Sequence, residues 1–257
     1  MGRGPVIQQK KEAAANARGK IYGIHSKLIA LAAQGGTDEA LNPALANAIV
    51  GAKKASVPTD IIERAIRRGS GQEKDASAVE AVIYEWYGPG GVGVIVRALT
   101  DNRNRTAPNM RHIFSAYGGS LGETWSVSNF LFSYNGVIEV DVAQSERERF
   151  EETILETEAE DYTIAWESAT VLTDRGGLHA TCEKLARAGF SPRSANLEYR
   201  ATSYVEVTDF DKALKIYKML EALVEDEDVE KVWNNADVSD TLWHEVETFI
   251  ESKKFRT

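Results

Sequence analysis

Two groups of residues in this sequence have the types and spacing to hold an anion. The first is Asp101-Asn-Arg-Asn-Arg105, five consecutive polar residues with two guanidinium groups, followed by Arg111. It separates a β-rich run, residues 92–99, from a stretch carrying the apolar Ile113 and Phe114. The spacing predicts a strand leading into a helix capped by Asn104 or Thr106. A junction of that kind is held from both sides. Arg103, Arg105 and Arg111, with Asn102 and Asn104 among them, are therefore candidate anion ligands. A solvated loop with local ion pairs is the alternative. The second group is Arg64, Arg67 and Arg68, spaced i, i+3 and i+4. On a helix they form one basic ridge opposite an apolar stripe of Ile61, Ile62, Ala65 and Ile66.

Catalytic arrangements are not expected. His25, His112, His179 and His244 fall in four different predicted helices. His179 and Cys182 are one turn apart, which supplies two zinc ligands where a structural site needs four and a catalytic one three. Nothing near Cys182 in sequence would lower its pKa, so it reads as a buried helix residue. Gly88-Pro-Gly-Gly-Val-Gly93 joins strand to strand, whereas a phosphate-cradling loop must open a helix, so a hairpin turn is the reading. Gly118-Gly-Ser-Leu-Gly122 reads as a helix stop with left-handed residues. The acidic stretches 146–161 and 221–230 read as solvated helix faces. No cofactor, no metal and no enzymatic activity are expected.

The charge balance points to a polyanion. The 257 residues carry a net charge of −9, unevenly spread. Residues 1–70 hold 11 basic against 5 acidic side chains, or +6, and the rest holds 19 against 34, or −15. A basic arm on an acidic body is the pattern of nucleic-acid binding. Lys10, Lys11, Arg18, Lys20, Lys27, Lys53 and Lys54 join Arg64, Arg67 and Arg68 as candidate phosphate contacts. Trp86 and Trp125 are candidates for stacking on unpaired bases, with burial as the alternative. No run approaches the roughly 18 apolar residues of a spanning helix, and the N-terminus lacks the apolar core of a secretory signal. With one cysteine, a reducing compartment and a cytoplasmic location are expected.

The elements that must position these residues follow from periodicity and turn signals. Helices are predicted near 8–17 and 22–34, interrupted by Gly19 and Gly23, then at about 42–55 and after Pro58 to Gly69. Strands 80–87 and 91–99, a helix 104–117 and a strand near 127–133 come next. Strand 136–142, helix 145–157, strands 161–165 and 168–173, helix 174–188 and strand 193–200 make a split β-α-β-β-α-β unit. A strand at 203–208, helix 209–224, strand 229–234 and helix 239–252 close the chain. The expected class is α+β with three domains: a helical basic domain, 1–76; a discontinuous α/β domain, 79–134 plus 202–257; and a ferredoxin-like βαββαβ domain inserted at 135–201.

Several motifs carry a resemblance. The hairpin with Gly88-Pro-Gly-Gly91 is followed by Thr100-Asp-Asn-Arg-Asn-Arg-Thr106, Arg111-His-Ile-Phe114 and Gly118-Gly-Ser-Leu-Gly122. Asn129-Phe-Leu-Phe132 then leads into Gly136-Val-Ile138. Together they resemble the YebC/PmpR family. Nearer the N-terminus, Ala17-Arg-Gly-Lys20, Ser26-Lys-Leu-Ile29 and Pro58-Thr-Asp-Ile-Ile-Glu-Arg-Ala-Ile-Arg-Arg-Gly69 are similar to the same family. The first residues depart from it. Members usually begin with a Gly-His-Ser-Lys-Trp segment, whereas this chain reads Gly2-Arg-Gly-Pro-Val-Ile-Gln-Gln-Lys. The resemblance implies the same three-domain architecture and a non-enzymatic, DNA-binding transcriptional regulator. Some members, including a mitochondrial translational activator of cytochrome c oxidase, act in translation. The alternative is thus a ribosome-associated translation factor on ribosomal RNA. The expected partner is nucleic acid, with the ribosome in the alternative and no membrane in either.

Overall fold

The computed structural model describes residues 4–73, 77–121 and 126–254, with side chains at 17–73, 77–120 and 126–253. The fold class is α+β, a helical N-terminal region followed by sheets packed with helices. The chain divides into two compact units, residues 1–124 with 205–257 and residues 125–204.

The first unit opens with α1, Gly4–Ala33, a single helix of 30 residues. Two helices broken near Gly19 and Gly23 were expected, and the structure corrects this. Each glycine costs a helix interior about 1 kcal/mol. Packing of the C-terminal half of α1 offsets that cost: Ile29 and Ala33 are fully buried. Helix α2, Pro43–Lys54, starts at Asn42, whose side chain accepts from the Leu45 N–H at 3.1 Å. Helix α3 spans Thr59–Gly69. Leu45, Ile49 and Ala52 of α2, Val57, and Ile62 and Ala65 of α3 close a core against Ile29 and Ala33. Helices α1 and α3 approach so closely at Gly69 that an added Cβ would lie 2.1 Å from the Ala30 carbonyl oxygen. Only glycine fits there.

Strands β1, Glu80–Tyr87, and β2, Gly93–Thr100, pair antiparallel with Tyr87 opposite Gly93. The connecting turn places Gly90 and Gly91 at φ 76° and 82°, the left-handed region that glycine enters without strain. Helix α4, Arg103–Ala116, follows, and β3, Ser120–Leu121, pairs with β1. The helix cap is Asn102, which accepts from the Arg105 N–H, and neither Asn104 nor Thr106.

The inserted unit holds α5, Ser128–Leu131; β4, Phe132–Asp141; α6, Arg147–Leu155; and β5, Ala159–Ala165. It continues with β6, Ser168–Thr173; α7, Leu178–Arg187; and β7, Pro192–Ala201. The expected strand at 127–133 is mostly the single turn of α5, and Phe132 and Ser133 belong to β4. The sheet runs β5-β6-β4-β7 with every neighbour antiparallel, the order of a split βαβ fold. Ile138, Val140, Phe150, Ile154, Val171, Leu185 and Phe190 form its core.

Back in the first unit, β8, Val205–Glu206, pairs in parallel with β10, Ala236–Asp237. Between them lie α8, Phe210–Glu225, and β9, Val229–Asn234; α9, Asp240–Lys254, follows β10. The sheet order is β3-β1-β2-β9. One face carries Trp86, Val94 and Val96 against Met110 and Phe114 of α4 and Ile216 and Met219 of α8. On the other, Leu99 packs with Ala30 and with Ile24, Leu28 and Leu31 of α1. The N-terminal helix is therefore seated on the sheet that carries the Asp101–Arg105 junction.

Candidate nucleic-acid interface

The basic side chains fall into two populations. In the first, cations are held by carboxylates. Asp228, in the connection from α8 to β9, has a side chain only 4 % exposed. Lys27 Nζ of α1 lies 2.6 Å from it, and the Arg105 guanidinium of α4 reaches both its oxygens at 2.8 and 3.0 Å. Thr106 Oγ1 is 2.7 Å from Asp228 Oδ2 and 2.7 Å from Thr100 Oγ1. The backbone carbonyl of Asp228 accepts from the Leu99 N–H at 2.7 Å, fixing the carboxylate beneath β2. Burial alone would push this carboxyl up. Hydrogen bonds from Lys27, Thr106 and Arg105 outweigh it and hold the group below the ordinary aspartate range.

Asp101 repeats the arrangement on a smaller scale. Arg68 of α3 donates to it at 2.7 Å and Arg105 stands 3.3 Å away. Burial opposes ionisation here too, and the Arg68 hydrogen bond with the nearby Arg105 charge lowers the pKa. Arg103 makes a two-pronged contact with Glu80, at 2.6 Å on each prong, in an exposed setting. Asn102 is occupied as the cap. Lys27, Arg68, Arg103 and Arg105 thus tie α1, α3, α4 and β1 to one another through acids.

The second population is open. Arg18, Lys53, Lys54, Arg67, Asn104 and Arg111 are exposed, and the five charged ones have no ion-pair partner among the described residues. Arg64 is 77 % exposed and reaches Glu73 only at 3.9 Å. Lys20 is half-buried, and the side chains of Lys10 and Lys11 lie outside the described residues. Arg64 and Arg68 border a groove of about 560 Å³ between α1 and α3, floored by Gly19, Tyr22, Gly23 and Ser26. Apart from the helix's own backbone and the adjacent residues, no described atom lies within 4 Å of where a Cβ on Gly19 or Gly23 would stand. The helix backbone is bare at these two positions of the floor. A polyanion could approach it more closely than any side-chain-covered helix allows.

Other expectations resolve differently. Trp86 is buried and stacked on Phe114 at 4.6 Å, so it is no platform for a base. Trp125 lies outside the described residues. Sequence reading passed over Trp166, which is 89 % exposed at the tip of the β5–β6 hairpin. The Arg147 guanidinium donates to its carbonyl at 2.6 Å, and its φ is 56°. A residue in the left-handed region at a hairpin tip projects its ring from the fold, and only the flanking strand registers reveal the tip. Acids read as solvated in 221–230 include the buried Asp228 and a half-buried Glu230 held by Arg97 at 3.2 Å. Cys182 sits half-buried in α7, its thiol pushed up by burial. Among the described residues no three His, Cys, Asp or Glu side chains are grouped to hold a metal ion. No helix among them is long and apolar enough to cross a membrane.

Known proteins resemble this chain in sequence and in fold. Residues 4–72 match the model of the TACO1/YebC protein N-terminal domain, and residues 79–236 that of the TACO1/YebC second and third domain. A protein of Treponema pallidum named "Probable transcriptional regulatory protein" is 41 % identical over 92 % of this chain and 96 % of its own length. One of the same name from Persephonella marina is 41 % identical over 93 % and 96 %. The crystal structure of a conserved hypothetical protein from Aquifex aeolicus superposes with a TM-score of 0.76 at 38 % identity, covering 87 % of this chain and 91 % of that one. The chain belongs to the TACO1/YebC family.

Proposed function

We propose that this protein is a non-enzymatic regulator of gene expression that grips the phosphate backbone of a nucleic acid, DNA in the first instance, through its N-terminal helices. The observation that carries the reading is the groove between α1 and α3. It combines Gly19 and Gly23 in its floor with the exposed Arg64 on its border, which Glu73 and the Asp101-paired Arg68 complete. Arg67 extends the basic edge, and Lys53, Lys54 and Arg18 are further exposed cations on the same three helices. Their contacts position the protein on the phosphates without reading base edges. The names of the relatives favour transcription. On this reading the chain works as three domains: 1–76 makes the contacts, while 79–134 with 202–257 and the inserted 135–201 form the acidic body. That body turns away nonspecific polyanion contact over the rest of the surface.

The test is filter binding of the full chain to a DNA duplex and to a ribosomal RNA fragment, with Arg64→Glu/Arg67→Glu alongside. Loss of binding in the double variant at unchanged melting temperature is expected. Unchanged binding to every nucleic acid tried would overturn the assignment. Crosslinking in cells then separates the readings. Chromosomal sites support the transcriptional regulator, and ribosomal RNA supports the ribosome-associated translation factor.

A further inference from the structure

A second cavity lies on the other side of α1 and is unused by the reading above. It measures about 340 Å³ and is walled by α1, the end of α8 and strand β9. Strand β9 is the edge of its sheet, so nothing in that sheet covers this side. The walls are largely aliphatic, with Ile21 and Ile24 from α1 facing Val224, Val229 and Val232. Ile21 and Val224 stand 45 % and 58 % exposed, leaving the lining apolar yet open to solvent.

The polar groups in this wall set the ligand's charge. Lys20 is half-buried and makes no hydrogen bond or ion pair among the described residues. Its pKa is lowered by burial, against the opposing fields of Asp226 and Glu225, so the ammonium is poorly solvated where it stands. His25 packs its ring against Gly51, with Nδ1 buried and unpartnered. A buried acceptor without a donor is less costly than a buried N–H without an acceptor. The ring proton therefore belongs on Nε2, away from the buried edge. Glu230 is the acid of the wall: Arg97 stands 3.2 Å from its Oε2, which accepts no hydrogen bond, and burial pushes its pKa up. Lys231, the remaining charged lining group, leans over the Trp233 ring at 5.7 Å.

We propose that this cavity is a binding site for a free small monocarboxylate with an apolar body, its carboxylate on Lys20 and His25 and its body against Ile24, Val224 and Val229. At about 30 Å³ per water-sized group, the volume admits on the order of ten such groups. That is the size of an arylalkanoate or medium-chain acid, at the small end of ligand pockets. The carboxylate supplies the partner that Lys20 lacks, and the apolar body covers the exposed aliphatic wall. Neither an uncharged molecule nor a cation would do both.

The experiment is isothermal titration of the full chain with 4-phenylbutyrate and with its uncharged isostere, 4-phenylbutyramide, in the absence of nucleic acid. The acid should bind at least tenfold tighter than the amide. Lys20→Met should remove that preference, and Val224→Trp, a change at an exposed position, should block both by filling the cavity. Melting curves of both variants should match the parent. Equal binding of acid and amide, a preference that survives Lys20→Met, binding indifferent to Val224→Trp, or no binding of either compound would each overturn the proposal. Because nucleic acid is absent, no outcome depends on the groove between α1 and α3.

Discussion

The two arginine clusters read alike in sequence and differ in the fold. On α3, Arg64 and Arg67 are exposed, and Arg64 reaches an acid, Glu73, only at 3.9 Å. On the β2–α4 junction, Arg103 and Arg105 are committed to Glu80, Asp101 and Asp228. The difference is one of partner and burial. An exposed guanidinium is already solvated and is free to exchange counterions for phosphates. Arg105 instead compensates a carboxylate that would otherwise be buried and unpaired. On the proposed reading the α3 ridge meets the phosphates, while the junction ties α1 and α3 to the sheet. Arg68, on the same ridge, belongs with the junction through its bond to Asp101.

The sharpest way to break this contrast is at Asp228. Replacing Asp228 by Ala leaves Lys27 and Arg105 without their shared acceptor. Breaking a buried pair costs about 3–5 kcal/mol, and the low end applies here because Lys27 keeps the Glu227 carbonyl and Arg105 keeps Asp101. For a chain of this size a loss of about 3 kcal/mol lowers the melting point by roughly 6–12 °C, and calorimetry would show it. A variant that melts with the parent would mean the junction is not structural.

The complementary change sits on the ridge. Arg64→Glu/Arg67→Glu should weaken nucleic-acid binding by tenfold or more while leaving the melt in place, because neither side chain is buried. Acid provides a gentler probe of the junction. The folded pKa values of Asp228 and Asp101 lie below their unfolded values. Their contribution to stability is therefore complete above about pH 3.9, the unfolded aspartate value. It fades as the pH falls through the folded values. Denaturant midpoints should drop over that window in the parent, and by less in Asp228→Asn, whose starting stability is already lower. The smallest effect is expected at Arg103→Ala. Its contact with Glu80 is solvent-exposed, so melting should be unaltered within error even though the geometry is two-pronged.

Much of this architecture was legible in the residues, and the misses share a cause. Strands β6 and β9 fall on their expected bounds because apolar runs and turn residues enclose them. The split βαβ order of the inserted unit follows from the same signals. Gly19 and Gly23 misled because local propensity says nothing of the tertiary packing that carries α1 through them. Asp228 misled for the same reason in charge form. In sequence it is one of several acids near the end of α8. Its partners Arg105 and Lys27 lie 123 and 201 positions away. The basic ridge on α3 was readable because an i, i+3, i+4 pattern is local. Whether a given arginine is free or taken depends on which acids the fold brings to it, and no local pattern contains that.

The most direct measurement is the salt dependence of nucleic-acid binding for three proteins: the parent, Arg64→Ala/Arg67→Ala and Arg103→Ala/Arg105→Ala. On a duplex each phosphate contact contributes about 0.9 to the slope of log K against log salt. The account predicts that the ridge variant loses about 1.8 of that slope. The junction variant should keep the parent slope and lose thermal stability instead. A junction variant that loses the slope while the ridge variant keeps it would contradict the account, and would put the phosphate contacts on the β2–α4 junction.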